Sequence, residues 1–255
     1  MTAKILAAAP VVEKIKVNLV KRCEALKNEG INPSMCVVLV GDNPASMSYI
    51  RNKKKLCEEI GANFVLEHMA PDISAIEFLK RVKKLNEDSS VHGIIIQLPV
   101  ASQLKDLDLP NLVNPNKDID GFHGVNTQKI YSGSKDLTLL IPCTPKGIVN
   151  LLHFYGVELK GKNVVVIGVS YKANVSDTRE APAALVIEEL KKQGAEVSWH
   201  DPVVGRWNGQ TSCELKGFEI AIVVTKHDAL SESSIKASAT YIFDCTGSIK
   251  GVAGL

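Results

Sequence analysis

Met35-Cys36-Val37-Val38-Leu39-Val40-Gly41-Asp42-Asn43-Pro44-Ala45-Ser46-Met47-Ser48-Tyr49-Ile50-Arg51-Asn52-Lys53 is the stretch on which the fold turns. Residues 35–40 are apolar on both faces, the pattern of a strand covered on both sides. Gly41-Asp42-Asn43 supplies a turn. A helix follows over 44–60, with Asn43 as its cap, Pro44 at its first position and Gly61 at its end. A doubly buried strand feeding a helix points to a parallel α/β sheet. Tyr49 and Lys53 are four residues apart and share a helical face. Two readings of the pair stand side by side. In one, a ring and an amine at the mouth of a strand serve a flat substrate with a proton to move. In the other, Tyr49 packs on a neighbour and Lys53 is solvated with Lys54 and Lys55.

The pattern repeats outward from there. Val12, Ile15, Leu19, Cys23 and Leu26 recur at helical spacing, and Gly30 stops that helix. Strands are expected at 63–68 and 93–99, with a helix over 76–85 opened by a capping-box pair, Ser74 and Glu77. Residues 101–137 are rich in Asp, Asn, Pro, Gly and Ser and read mostly as loops. A new unit opens at Thr144, capping a helix with Pro145 at its first position and Ile148, Leu151 and Leu152 on its inner face. A strand over 163–168, a helix over 182–192 and strands at 196–200, 220–224 and 241–243 complete the series. The fold expected is α/β in two domains. A parallel α/β domain covers 1–139, and a Rossmann-like doubly wound domain covers 140–255, with the boundary near 135–143.

Composition narrows the function classes. At 255 residues and 45% hydrophobic, the chain can build two ordinary cores. A net charge of +2 gives no argument for nucleic acid or a membrane surface as partner. No apolar run spans a bilayer, and the run after Lys4 is too short for a secretory signal. Cysteines at 23, 36, 57, 143, 213 and 245 show no CxxC and no metal-ligand spacing. Cys36 and Cys245 lie in apolar runs and read as small buried hydrophobes. A cytoplasmic, reducing setting follows.

Ligands of open α/β sheets sit at the carboxyl ends of the strands. Tyr49, Lys53, Gln97, Asp118 and Asp120 all fall there. A lysine near an amide and a carboxylate can be tuned for proton transfer. Each residue also has a structural reading. Gln97 can satisfy backbone groups, and either aspartate can make a turn.

The motifs Val40-Gly41-Asp42-Asn43-Pro44-Ala45-Ser46 leading to Tyr49 and Lys53, Gly93-Ile94-Ile95-Ile96-Gln97-Leu98-Pro99, Lys117-Asp118-Ile119-Asp120-Gly121-Phe122 and Pro142-Cys143-Thr144-Pro145-Lys146-Gly147 together resemble the bifunctional methylenetetrahydrofolate dehydrogenase/cyclohydrolases. The resemblance covers roughly residues 4–168. It implies a tetrahydrofolate substrate, a nicotinamide cofactor (NADP or NAD), and hydride transfer followed by hydrolytic ring opening. By the same resemblance Lys53 is the general acid/base, Tyr49 stacks on the folate, Gln97 adjusts Lys53, and Asp120 anchors the pterin.

After Ile167 the pattern changes. Gly168 and Ser170 keep the family's glycine turn, but Val169 stands where an arginine is expected, so a natural phosphate partner is missing. The family's closing glycine-rich segment and its last helix are also absent, which predicts dimerisation through exposed apolar surface. Tyr171-Lys172, Asp177-Thr178-Arg179-Glu180-Ala181-Pro182, Gly194-Ala195-Glu196-Val197 and His200-Asp201-Pro202 resemble instead the C-terminal, nucleotide-sugar-binding domain of UDP-sugar dehydrogenases, over roughly 163–255. Asp201 ends a strand where a carboxylate can hold an adenosine ribose, or it makes a turn with Pro202. Two resemblances meeting at one turn read as a recombined chain, or as a divergent natural folate enzyme. The expected function is that of the folate family, with hydrolysis surviving better because it needs no hydride acceptor. The alternatives are a catalytically silent Rossmann-fold protein and a UDP-binding module.

Overall fold

The computed structural model describes residues 4–132, 140–179 and 181–250. In chain order the elements are β1 (Lys4–Ile5), α1 (Ala8–Asn28), β2 (Ser34–Val40), α2 (Pro44–Ile60), β3 (Asn63–Met69), α3 (Ala75–Glu87), β4 (Gly93–Ile96), α4 (Leu109–Leu112), α5 (Gly124–Gln128) and α6 (Cys143–Phe154). They continue with β5 (Asn163–Ile167), α7 (Pro182–Lys192), β6 (Glu196–His200), β7 (Arg206–Trp207), β8 (Gln210–Thr211), β9 (Phe218–Val223), α8 (Glu232–Ser238) and β10 (Ala239–Asp244). Two units divide these residues. The N-terminal unit comprises Glu13–Lys129 and Thr138–Pro142; the C-terminal unit comprises Met1–Val12, Ile130–Leu137 and Cys143–Leu255. Residues 133–139, across which the boundary was expected, and Glu180 lie outside the described residues.

The N-terminal unit is built on a parallel sheet of order β3-β2-β4. Its central strand, β2, buries Cys36, Val38 and Val40 against Phe78 and Val82 of α3. The alternate residues Val37 and Leu39 pack on the other face with Ile50 of α2. That two-sided burial explains why β2 reads as one continuous apolar run. Asn43 caps α2, its side chain accepting from Ser46 N, and Gly61 closes it in a left-handed conformation at φ 77°. Ser74 caps α3 by accepting from Glu77 N, but the capping box is half made, because Glu77 turns its carboxylate to Arg81. The expected strand at 93–99 ends at Ile96; Gln97 N still donates to Val38 O. Within the expected loop region the chain forms α4 and α5, and Ile94 pairs with Asp118 as an isolated parallel bridge.

The C-terminal unit holds a parallel sheet of order β1-β10-β9-β5-β6. Val164 to Ile167 of β5, Ile220 to Val223 of β9, and Ile242 and Phe243 of β10 are completely or nearly completely buried. One face is covered by Ile148, Leu151 and Leu152 of α6 and by Ala183, Val186 and Leu190 of α7; Ile235 of α8 packs on the other. The chain steps from β5 to β6 on one side and then returns to place β9 on the other, so the strand order reverses between β5 and β9. In a doubly wound sheet that reversal opens the ligand crevice. The helix expected to start at Pro145 with Thr144 as its cap starts two residues earlier, at Cys143, so Thr144 lies inside it. No described helix is long and apolar enough to cross a membrane.

Candidate functional site

In the N-terminal unit the structure brings Lys53 to Gln97 and sets Asp120 within reach of the Lys53 charge. The i, i+4 spacing that puts Tyr49 and Lys53 on one face of α2 goes with a Lys53 side chain that reaches the end of β4. There Lys53 Nζ donates to Gln97 Oε1 at 2.9 Å. Gln97 is held from its other end too, with Nε2 donating to Leu98 O at 3.0 Å. Ser46, in the first turn of α2, donates from Oγ to the same carbonyl at 3.3 Å. The Lys53–Gln97 contact is therefore set by the helix start and the strand end together. Tyr49 leaves 64% of its surface exposed, so its ring is open to a planar partner.

The aspartate loop approaches the same amine. Burial pushes the Asp120 carboxyl above its ordinary range; the Lys53 charge pulls it back down, and Asp118 adds a smaller upward push. Asp118 has a different task. It is 4% exposed, and its carboxylate accepts from Gly121 N at 3.0 Å, His123 N at 2.8 Å and Asn126 Nδ2 at 2.9 Å. It folds the loop that carries Asp120. Gly121 lies at φ 77° against residue 141, where a Cβ would come within 2.2 Å of the Ile141 carbonyl carbon. An amine, an amide and a carboxyl beside an open aromatic ring can hold a flat heterocycle and move a proton on it. Sequence reasoning missed Ser46 as a site residue; its place three residues after the cap was the available signal.

The residues expected to meet a cofactor lie in the C-terminal unit. Gly168 follows β5 at φ 86°, and its ideal Cβ would fall 1.9 Å from Thr225 O. Ser170 is completely buried, its Oγ donating to Lys172 O at 2.8 Å. Asp201 is 2% exposed. Its Oδ1 accepts from Val203 N and Val204 N, and its Oδ2 accepts from Val169 N at 2.9 Å and faces His227 Nε2 at 2.9 Å. Those backbone donors hold the carboxyl below its ordinary range against the upward push of burial. His227 escaped sequence reasoning, since nothing local marks a residue that pairs with Asp201 across 26 positions.

The fold and the first unit's site define a two-unit α/β protein with a lysine-centred side-chain cluster and a Rossmann-like second unit. Comparison with known proteins then identifies the family. Residues 6–120 match the catalytic domain of the tetrahydrofolate dehydrogenase/cyclohydrolases, and residues 142–179 match the NAD(P)-binding domain of the same family. Residues 165–251 also match the UDP binding domain of the UDP-glucose/GDP-mannose dehydrogenase family, so two descriptions overlap across the turn after β5. The bifunctional protein FolD of Anoxybacillus flavithermus is 41% identical over 171 residues, which is 67% of this chain and 59% of that protein. The chain thus spans about three-fifths of the curated relatives it matches. Among solved structures, FolD methylenetetrahydrofolate dehydrogenase/cyclohydrolase from Campylobacter jejuni is 32% identical with a TM-score of 0.78, over 94% of this chain and 80% of its own. The silkworm 5,10-methylenetetrahydrofolate dehydrogenase is 27% identical with a TM-score of 0.75, over 95% and 82%. The chain belongs to the FolD-type methylenetetrahydrofolate dehydrogenase/cyclohydrolase family.

Proposed function

We propose that this chain acts on folate one-carbon units and that its principal activity is hydrolysis of methenyl-tetrahydrofolate to formyl-tetrahydrofolate. The observation that carries the proposal is the Lys53 Nζ to Gln97 Oε1 contact at 2.9 Å, with the half-buried Asp120 near enough to feel the Lys53 charge. Tyr49 stacks on the pterin. Asp120 accepts hydrogen bonds from the pterin's amide-like edge. Lys53, as the amine, takes a proton from the attacking water. The new carbon–oxygen bond forms at the methenyl carbon, and that carbon's bond to one of its two nitrogens breaks. Lys53 returns the proton to the departing nitrogen, and the water's second proton leaves to solvent. Gln97 fixes the amine in line for both transfers. No hydride acceptor enters these steps.

In this reading Asp201 holds a turn rather than a ribose, because its oxygens already serve three backbone donors and face an imidazole. A second copy of the chain is the macromolecular partner. Among the described residues the edge strand β3 pairs with β2 alone, and it carries Val65 and Leu66 exposed, an arrangement that invites pairing. Cytoplasm is the setting in which six thiols stay reduced.

The test is spectroscopic. Methenyl-tetrahydrofolate mixed with the protein should lose its absorbance faster than in buffer, in proportion to protein concentration. Decay at the buffer rate contradicts the assignment.

A further inference from the structure

A dinucleotide in a doubly wound sheet makes three demands on the crevice where strand order reverses. It needs backbone N–H groups aimed at the pyrophosphate, a carboxylate open to the ribose, and empty space between the two strand ends. The C-terminal unit can be checked on each demand, since residues 142–179 match the family's NAD(P)-binding domain.

Three of the N–H groups in the turn after β5 are used internally. Val169 N donates to Asp201 Oδ2 at 2.9 Å, Tyr171 N to Asp177 O at 2.7 Å, and Asn174 N to His227 Nδ1 at 2.8 Å. The helix that would aim its N-terminus at a phosphate, α7, starts only at Pro182, a residue without an N–H. The carboxylate of Asp201 is engaged as described above. The space is filled as well. His227 follows β9, is completely buried, and stands between Ser170 at the end of β5 and Asp201 at the end of β6. Thr225 Oγ1 adds a further tie to Ser170 O at 3.0 Å.

The imidazole is fixed in one tautomer by its partners. Nδ1 accepts from Asn174 N, so the ring hydrogen is on Nε2. That hydrogen is shared between Asp201 Oδ2 at 2.9 Å and Ser170 Oγ at 3.1 Å. Ser170 can accept it because its own hydrogen goes to Lys172 O. Each donor in the cluster has an acceptor, the condition under which a buried polar group is stable.

We infer that His227 shuts the strand-end crevice of the C-terminal unit, so that a dinucleotide enters only when the imidazole is removed. The inference rests on the family reading for its choice of ligand, and on the cluster's geometry for everything else. The chain would then hydrolyse methenyl-tetrahydrofolate while its hydride step lies idle.

Calorimetric titration of the full chain with NADP, and separately with NAD, tests this in the parent and in His227→Ala. The parent should show a Kd above about 1 mM, and the variant should bind one of the two at least about tenfold more tightly. A parent Kd below about 1 mM, or a variant that binds no better than the parent, overturns the inference. If circular dichroism shows that His227→Ala fails to fold, the imidazole 15N shifts of the parent decide. The shifts of a ring protonated at Nε2 should be unchanged by millimolar NADP, and a saturable change overturns the inference. Methenyl-tetrahydrofolate hydrolysis in the same preparations is an independent reading. Its absence would count against Lys53 and leave the His227 result intact.

Discussion

Lys53 Nζ and Gln97 Oε1 are 2.9 Å apart, which ties the middle of α2 to the residue that follows β4. Because Gln97 is itself held by its bond to Leu98 O, the amine is placed by backbone on both sides. The carboxamide oxygen fixes where the Lys53 nitrogen points, and a fixed position is what proton transfer to or from a bound substrate needs.

Replacing Gln97 by Leu keeps the volume and removes the acceptor. The loss of one oriented hydrogen bond should lower kcat for methenyl-tetrahydrofolate hydrolysis about tenfold. KM should change less, since the pterin contacts are elsewhere. Steady-state kinetics beside an unfolding curve separates this from a folding defect.

Asp120 should show a trade between stability and function. Its folded carboxyl is raised above the usual value of 3.8, first by burial. The fold therefore favours the protonated form, and stability is lost as pH rises through the folded pKa. Asp120→Asn should be more stable than the parent at pH 7, with the difference vanishing once pH falls below the unfolded value. Folate binding should weaken in the same variant. Paired urea unfolding curves at several pH values check the sign.

Glycines separate by the space around them. Gly121→Ala combines a left-handed φ of 77° with a Cβ 2.2 Å from the Ile141 carbonyl carbon. It should cost about 2–3 kcal/mol in urea unfolding. Gly147, within α6, has nothing within 4 Å of its ideal Cβ. Gly147→Ala should gain about 0.5–1 kcal/mol from helix propensity.

The thiols should react in a fixed order. Burial pushes Cys36 up to about 11 and Cys245 up to about 12, so neither supplies thiolate near neutral pH. Cys143 is exposed. Native protein treated with a thiolate-selective reagent at pH 8 should be labelled first at Cys143, with Cys36 and Cys245 labelled only after unfolding. Peptide mass mapping over time reads the order.

Much of this architecture is legible in the residues, for a local reason. Asn43, Pro44 and Gly61 bound α2 through contacts within a few positions, and β2 announces its two covered faces by an unbroken apolar run. The same helical spacing put Tyr49 and Lys53 together. What escaped depends on distant partners. β1 is two residues long and exists because Lys4 and Ile5 pair with Tyr241 and Ile242. The β7–β8 hairpin and α8 are short pieces whose apolar residues, Trp207 and Ile235, gain meaning only against the core. Of the residues expected to meet a cofactor, Gly168 and Ser170 were named through the resemblance at the glycine turn and Asp201 by its place at a strand end, and their partners were hidden. Asp201 meets His227 across three intervening strands, and Ser170 meets Thr225 across α7 and four strands.

The most direct measurement is the rate of methenyl-tetrahydrofolate hydrolysis by Lys53→Met beside the parent, with folding confirmed for both. The account predicts a loss of about 100-fold or more, the contribution of a positioned proton-transfer group. A variant that hydrolyses the substrate within about twofold of the parent rate would contradict the role given to Lys53.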